Sequence, residues 1–161
     1  MRIKLWHSFV SRLLYYMNNM NFKTIITRLY FMLIYSDGKV NDGEISLGKK
    51  MIQAEGIGES EFNSQLETLK GTDLHKVYKE CVVDLKRLKR EQQIRCIAWM
   101  CVLANSDGFM DRAEWQVIYK IYHKELHLPL DAIMEVQKEL TRLTHNNSAV
   151  NATIRTTSAR P

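Results

Sequence analysis

The chain has 161 residues, and 45% hydrophobic with 25% charged residues is the composition of one globular domain. The formal charge of +5 is unevenly spread: residues 1–36 hold Arg2, Lys4, Arg12, Lys23 and Arg28 with no carboxylate, and from Thr144 onward only Arg155 and Arg160 are charged. The remaining 16 bases and 18 acids give the body a net −2, which excludes a basic platform for nucleic acid, and no run is long and apolar enough to span a bilayer.

Only 2 prolines and 7 glycines interrupt the chain. Between them the apolar residues recur with helical period and hardly anywhere alternate, so the fold class is all-α. Residues 3–17, "IKLWHSFVSRLLYYM", place Trp6, Phe9, Val10, Leu13, Leu14 and Met17 on one helical face, with Arg2, Lys4 and Arg12 as the only charges of a basic amphipathic helix over 1–20. Packing of that face onto the core is the first expectation. Contact with an anionic membrane, or with a groove on a partner, is the alternative.

Asn18–Asn19 reads as a break, after which a helix runs from about Phe22 to Tyr35. Further helices are predicted over about Asp42–Glu55, Glu59–Leu69, Asp73–Leu85 (capped by Asp73), Glu91–Ala104, Arg112–Leu126 and Leu130–Leu143. The "GIG" at 56–58, Gly71 and Pro129 separate them. From Thr144 the chain is polar and without period, and 144–161 is expected to be a flexible tail. Cys81, Cys96 and Cys101 lie in apolar pattern, form no Cys-x-x-Cys and are odd in number. They read as reduced core thiols of a cytosolic protein.

"SDGKVNDGEI" at 36–45 and "SDGFMDRAEW" at 106–115 share one register, 70 residues apart. The same displacement sets Leu33 on Leu103, Lys50 on Lys120 and Glu55 on Glu125. The expected architecture is a single compact domain of about seven to eight helices, built from two pseudo-symmetric helical repeats over about 25–70 and 95–140 within a core of 21–143.

Each corner admits a structural and a chemical reading. Structurally, Gly38 and Gly108 can take the positive φ that ends a helix. Asn41 and Asp111 then suit an N-cap, with Glu44 and Glu114 three residues on completing a capping box. Chemically, Asp-Gly-x-apolar-x-x-x-Glu is the second half of an EF-hand loop. The first half is missing, because Leu33 or Leu103 would stand at its first ligand position. If the corners meet, their carboxylates need a cation or basic groups beside them.

An apolar helix ending in Ser-Asp-Gly, then an apolar residue, Asn or Asp, two residues and Glu, resembles the TerB-like domain of bacterial tellurite-resistance and stress-response systems. The resemblance covers about Ile25–Leu143. It implies an all-helical cytoplasmic domain, in an assembly at the inner membrane, with corner acids that bind a divalent cation (Ca, Mg, Mn or Zn not distinguished) or a charged protein partner. By position the acids are Asp37, Asn41, Glu44, Asp107, Asp111 and Glu114. Asn41 departs from the pattern by replacing an acid, and the N-terminal helix is an addition to it.

Two further constellations are weaker. His123 and His127 are four apart, but Glu125 does not follow the first directly, as a zincin helix needs. "DLKRLKREQQIR" at 84–95 gathers Lys86, Arg87, Lys89 and Arg90 as a solvated face or an anionic partner surface. The expected function is a non-enzymatic binding module, a monomer or weak homo-oligomer, offering acidic corners to a divalent cation or a basic partner of a stress-response complex. The alternatives are a co-chaperone-like module, because TerB-like domains also occur fused to J-domains, and a metal-dependent hydrolase using clustered carboxylates.

Overall fold

The computed structural model describes residues 2–35 and 38–157, with side chains for residues 5–35 and 38–146. Among them every regular element is helical: α1 (Arg2–Ile34), α2 (Asp42–Ala54), α3 (Glu59–Lys70), α4 (Leu74–Arg87), α5 (Arg90–Ala104), α6 (Arg112–Tyr119) and α7 (Leu130–Thr157). A π-helical turn, Lys120–Glu125, continues α6.

Two helical segments are apolar nearly all round, which is tolerable only at the centre of a bundle. Residues 96–104 of α5 are all buried, and so is every residue of α1 from Ile25 to Ile34 except Arg28. Arg28 is held instead by Asp84 of α4 at 2.8 Å. These two segments pack on each other; α3 and α4 cover α1, while α2, α6 and α7 cover α5. Each fully buried side chain such as Ile25, Leu29, Ile97 or Leu103 contributes about 1.5–3 kcal/mol of transfer free energy. The contact between α1 and α2 depends on Gly48, where an added Cβ would lie 2.6 Å from the buried Tyr30 ring.

Three sequence expectations change. No break occurs at Asn18–Asn19; α1 runs through it. Asparagine costs a helix only some tenths of a kcal/mol, less than ending one helix and nucleating another, and neither glycine nor proline stands there. For the same reason α7 continues past Leu143 to Thr157 in place of the flexible tail; Thr144 is buried and its hydroxyl donates to the Thr141 carbonyl. The helix expected over Arg112–Leu126 widens into the π turn, where the Leu126 amide donates to the Ile121 carbonyl at 3.0 Å.

The apolar face of residues 5–20 does not pack on the core. Leu5, Trp6, Phe9, Leu13, Leu14 and Met20 are all exposed, and the helix becomes buried only from Phe22.

Candidate functional site

Each corner is built by the residues that cap it. Gly38 and Gly108 have φ of 73° and 82°, the left-handed conformation that lets the chain turn after α1 and α5. Asn41 and Asp111 are the N-caps of α2 and α6, and both form complete capping boxes. The Glu44 amide donates to Asn41 Oδ1 at 2.8 Å, and the Asn41 amide donates to Glu44 Oε2 at 3.1 Å. In the second corner the Asp111 amide donates to Glu114 Oε2 at 2.9 Å, and Asp111 Oδ1 also accepts from the Ala113 amide at 2.7 Å. Both glutamates are nearly sealed from solvent, at 4% and 5% exposure. The Glu44 carboxylate also lies close enough to Tyr30 to add to burial in pushing that hydroxyl up to about 12.

Asp107 gains an explanation that the helix dipole alone withholds. Its Oδ1 accepts from the Phe109 amide at 3.1 Å, so the carboxylate closes the turn locally. Asp37 lies outside the described residues.

The two corners touch. Ser106 Oγ donates to Asn41 Oδ1 at 3.4 Å, and Gly43 sits so close that an added Cβ would fall 3.2 Å from the same hydroxyl. Asn41 therefore serves both as cap and as the link to the other corner. The carboxylates do not gather with the loops: among the described residues, no three His, Cys, Asp or Glu side chains form a group able to hold a metal ion. Glu44 and Glu114 have turned inward onto backbone amides, whereas Asp42, Asp107 and Asp111 face solvent. Among the described residues the corners form no cation cage, and the capping boxes account for the glutamates of the EF-hand-like pattern.

The basic residues of 86–90 are largely engaged within the chain. Lys86 Nζ lies 3.1 Å from Glu125 Oε2, Arg87 reaches Asp84 at 3.5 Å, and Arg90 donates to the His127 carbonyl at 3.4 Å. Lys89 is exposed at the N-cap of α5. His127 takes φ of 51° beyond the π turn, so it shares no helix face with His123, which stacks on Tyr119. Trp6 and Arg12 are exposed on α1, whereas the side chains of Arg2 and Lys4 lie outside the described residues.

Two carboxylates of structural weight have little local signature. Glu55 Oε1 accepts from Arg95 Nε at 2.7 Å and from Trp99 Nε1 at 2.6 Å, joining α2 to α5. Glu125 accepts from Lys86 and, at 3.1 Å, from the Tyr78 hydroxyl; the Lys86 ammonium above all holds its carboxyl below the ordinary range. Their partners are 39 to 47 residues away in sequence, and only the parallel placement of Glu55 and Glu125 one displacement apart hinted at either.

No curated protein and no solved structure matches this chain. The family model described as tellurite resistance protein TerB matches residues 23–136, from the buried half of α1 into α7, and so takes in both corners. The chain belongs to the TerB tellurite resistance family.

Proposed function

We propose that the TerB domain of this chain is a non-catalytic interaction module of a tellurite-resistance type of response, and that the paired corners present exposed carboxylates to a basic segment of a protein partner. The observation that carries this reading is the division of labour among the corner acids. Glu44 and Glu114 are spent on capping boxes, which leaves Asp42, Asp107 and Asp111 as solvent-facing charge on two loops in contact. Phe109, 74% exposed in the second corner between Asp107 and Asp111 in the chain, supplies an apolar contact beside the acids.

A non-catalytic role is supported by the engagement of the groups that chemistry would use. Glu55 and Glu125 are committed to salt bridges, and all three thiols are buried in the core.

Amide NMR titrations of the full chain test the reading, with a lysine-rich peptide in one arm and Ca²⁺, Mg²⁺, Mn²⁺ and Zn²⁺ in the other. Asp107→Asn and Asp111→Asn serve as controls, because asparagine caps as well as aspartate does and Asn41 already does so in the first corner. The expected result is peptide-induced shifts at both corners that weaken with salt and in the variants. Corner shifts with a cation, lost in the same variants, would replace the partner with a metal. Silence in both arms would retire the corners as a binding surface.

A further inference from the structure

The family match begins at residue 23, whereas α1 begins at Arg2, so the first twenty or so residues of this helix are not part of the TerB domain. They also stand clear of it. Ser8 and Ser11 are as exposed as Phe9 and Leu13, which means that no other element covers either side of the helix there. At about 1.5 Å per residue this free segment extends about 25 Å from the body.

Its side chains are sorted around the helix axis. At about 100° per residue, Leu5, Tyr16, Phe9, Met20, Leu13 and Trp6 fall in sequence over one arc of about 100°. Met17, Val10 and Leu14 extend that arc to about half the circumference. His7, Ser8, Ser11, Asn18, Asn19 and Arg12 occupy the other half, with Tyr15 as its one aromatic, and no carboxylate stands anywhere in residues 1–36. Trp6 and Phe9 are 68% and 64% exposed.

We propose that this segment binds an anionic lipid bilayer, lying in the plane of its surface with the apolar half sunk among the acyl chains. Three features select a bilayer over a second copy or a partner groove. The apolar arc covers half the helix, whereas a helix–helix seam is a narrower stripe. Trp6 and Tyr16 are the amphipathic aromatics that sit at headgroup level. Lys4 and Arg12, on the polar half of the wheel, complement anionic headgroups, and two copies of a helix with basic residues and no carboxylate would repel. The helix lies on the membrane and does not cross it: among the described residues no helix is long and apolar enough to do so. The TerB body would then be held against the bilayer by its first helix.

Vesicle flotation of the full-length protein is the test, comparing phosphatidylcholine vesicles with vesicles that also contain phosphatidylglycerol. The doubly charged variant Phe9→Glu, Leu13→Glu, the charge reversal Arg12→Glu and a circular-dichroism melt of each accompany it. Because both substituted side chains are exposed, the variants keep the melting transition of the parent protein. Binding at least about tenfold stronger to the anionic vesicles, abolished by the double variant and weakened by Arg12→Glu and by salt, supports the proposal. Failure to float, flotation that the double variant leaves unchanged, or sedimentation as a stable oligomer that dissociates in the double variant without ever floating would each overturn it.

Discussion

Asn41 shows how much a single residue carries in this protein. It caps α2, accepts the Ser106 hydroxyl of the opposite corner and leaves its own amide to Glu44. Asn41→Ala removes the first two interactions together and should destabilise the domain by about 1–2 kcal/mol, read as a lower urea midpoint at unchanged slope. Asp111→Asn retains a capping side chain and should cost only a few tenths. The contrast separates the structural work of the corners from any effect of their charge.

Glu125 gives the residue scale its pH dependence. Lys86 holds the folded carboxyl below the ordinary glutamate value of 4.5, and the Tyr78 hydroxyl reinforces it. A depressed folded pKa contributes stability that is full above the unfolded value and lost as pH falls below it toward the folded one. Glu125→Gln therefore lowers stability near neutral pH but loses less between about pH 5 and pH 3 than the parent does. Urea melts across that range would show the two curves converging on the acid side. Parallel curves would mean that Glu125 does not feel Lys86.

At the scale of elements, α1 is one helix with two environments. From Phe22 onward it is buried against α3, α4 and α5, whereas residues 5–20 are exposed apart from the half-buried Val10 and Asn19. Removal of residues 2–20 should thus leave the unfolding free energy of the domain within about 0.5 kcal/mol of the parent, the range of changes away from packed sites. A larger loss would mean that the projecting half folds back on the core in solution. The π turn is the other element whose form has consequences. It ends at Glu125, on the side where α4 supplies Tyr78 and Lys86, and the Leu126 and Leu128 amides, bonded to the Ile121 and Tyr122 carbonyls, flank the left-handed His127 ahead of Pro129.

For the whole molecule, the arrangement of α1 and α5 at the centre determines how the thiols behave. Cys81, Cys96 and Cys101 are free and buried, and burial pushes Cys81 up to about 12, Cys101 to about 11 and Cys96 well above its ordinary value. Thiolate is the reactive form, so native protein at neutral pH should resist iodoacetamide, with all three cysteines alkylated once guanidinium unfolds the chain. Mass spectrometry counts the adducts directly. Rapid modification of the native protein would show that the bundle opens far more readily than its packing implies.

Most of the helices were legible in the sequence because their signals are local. Apolar residues at the 3.6-residue period, glycine after a helix and a cap followed three positions later by glutamate all act within one or two turns, and such physics leaves its mark in neighbouring letters. The capping boxes at Asn41–Glu44 and Asp111–Glu114 were therefore readable without coordinates. The boundaries at Asn18–Asn19 and Thr144 were not, because helix propagation depends on the absence of a true stop more than on polarity. What only the tertiary structure decided is what meets what. It brought Asn41 to Ser106, 65 residues away, and Glu55 to Trp99, 44 away. It turned the corner glutamates inward and left the first half of α1 uncovered. A stripe of apolar residues states that a helix has a face to bury; the packing of every other element decides whether anything in the same chain remains to bury it.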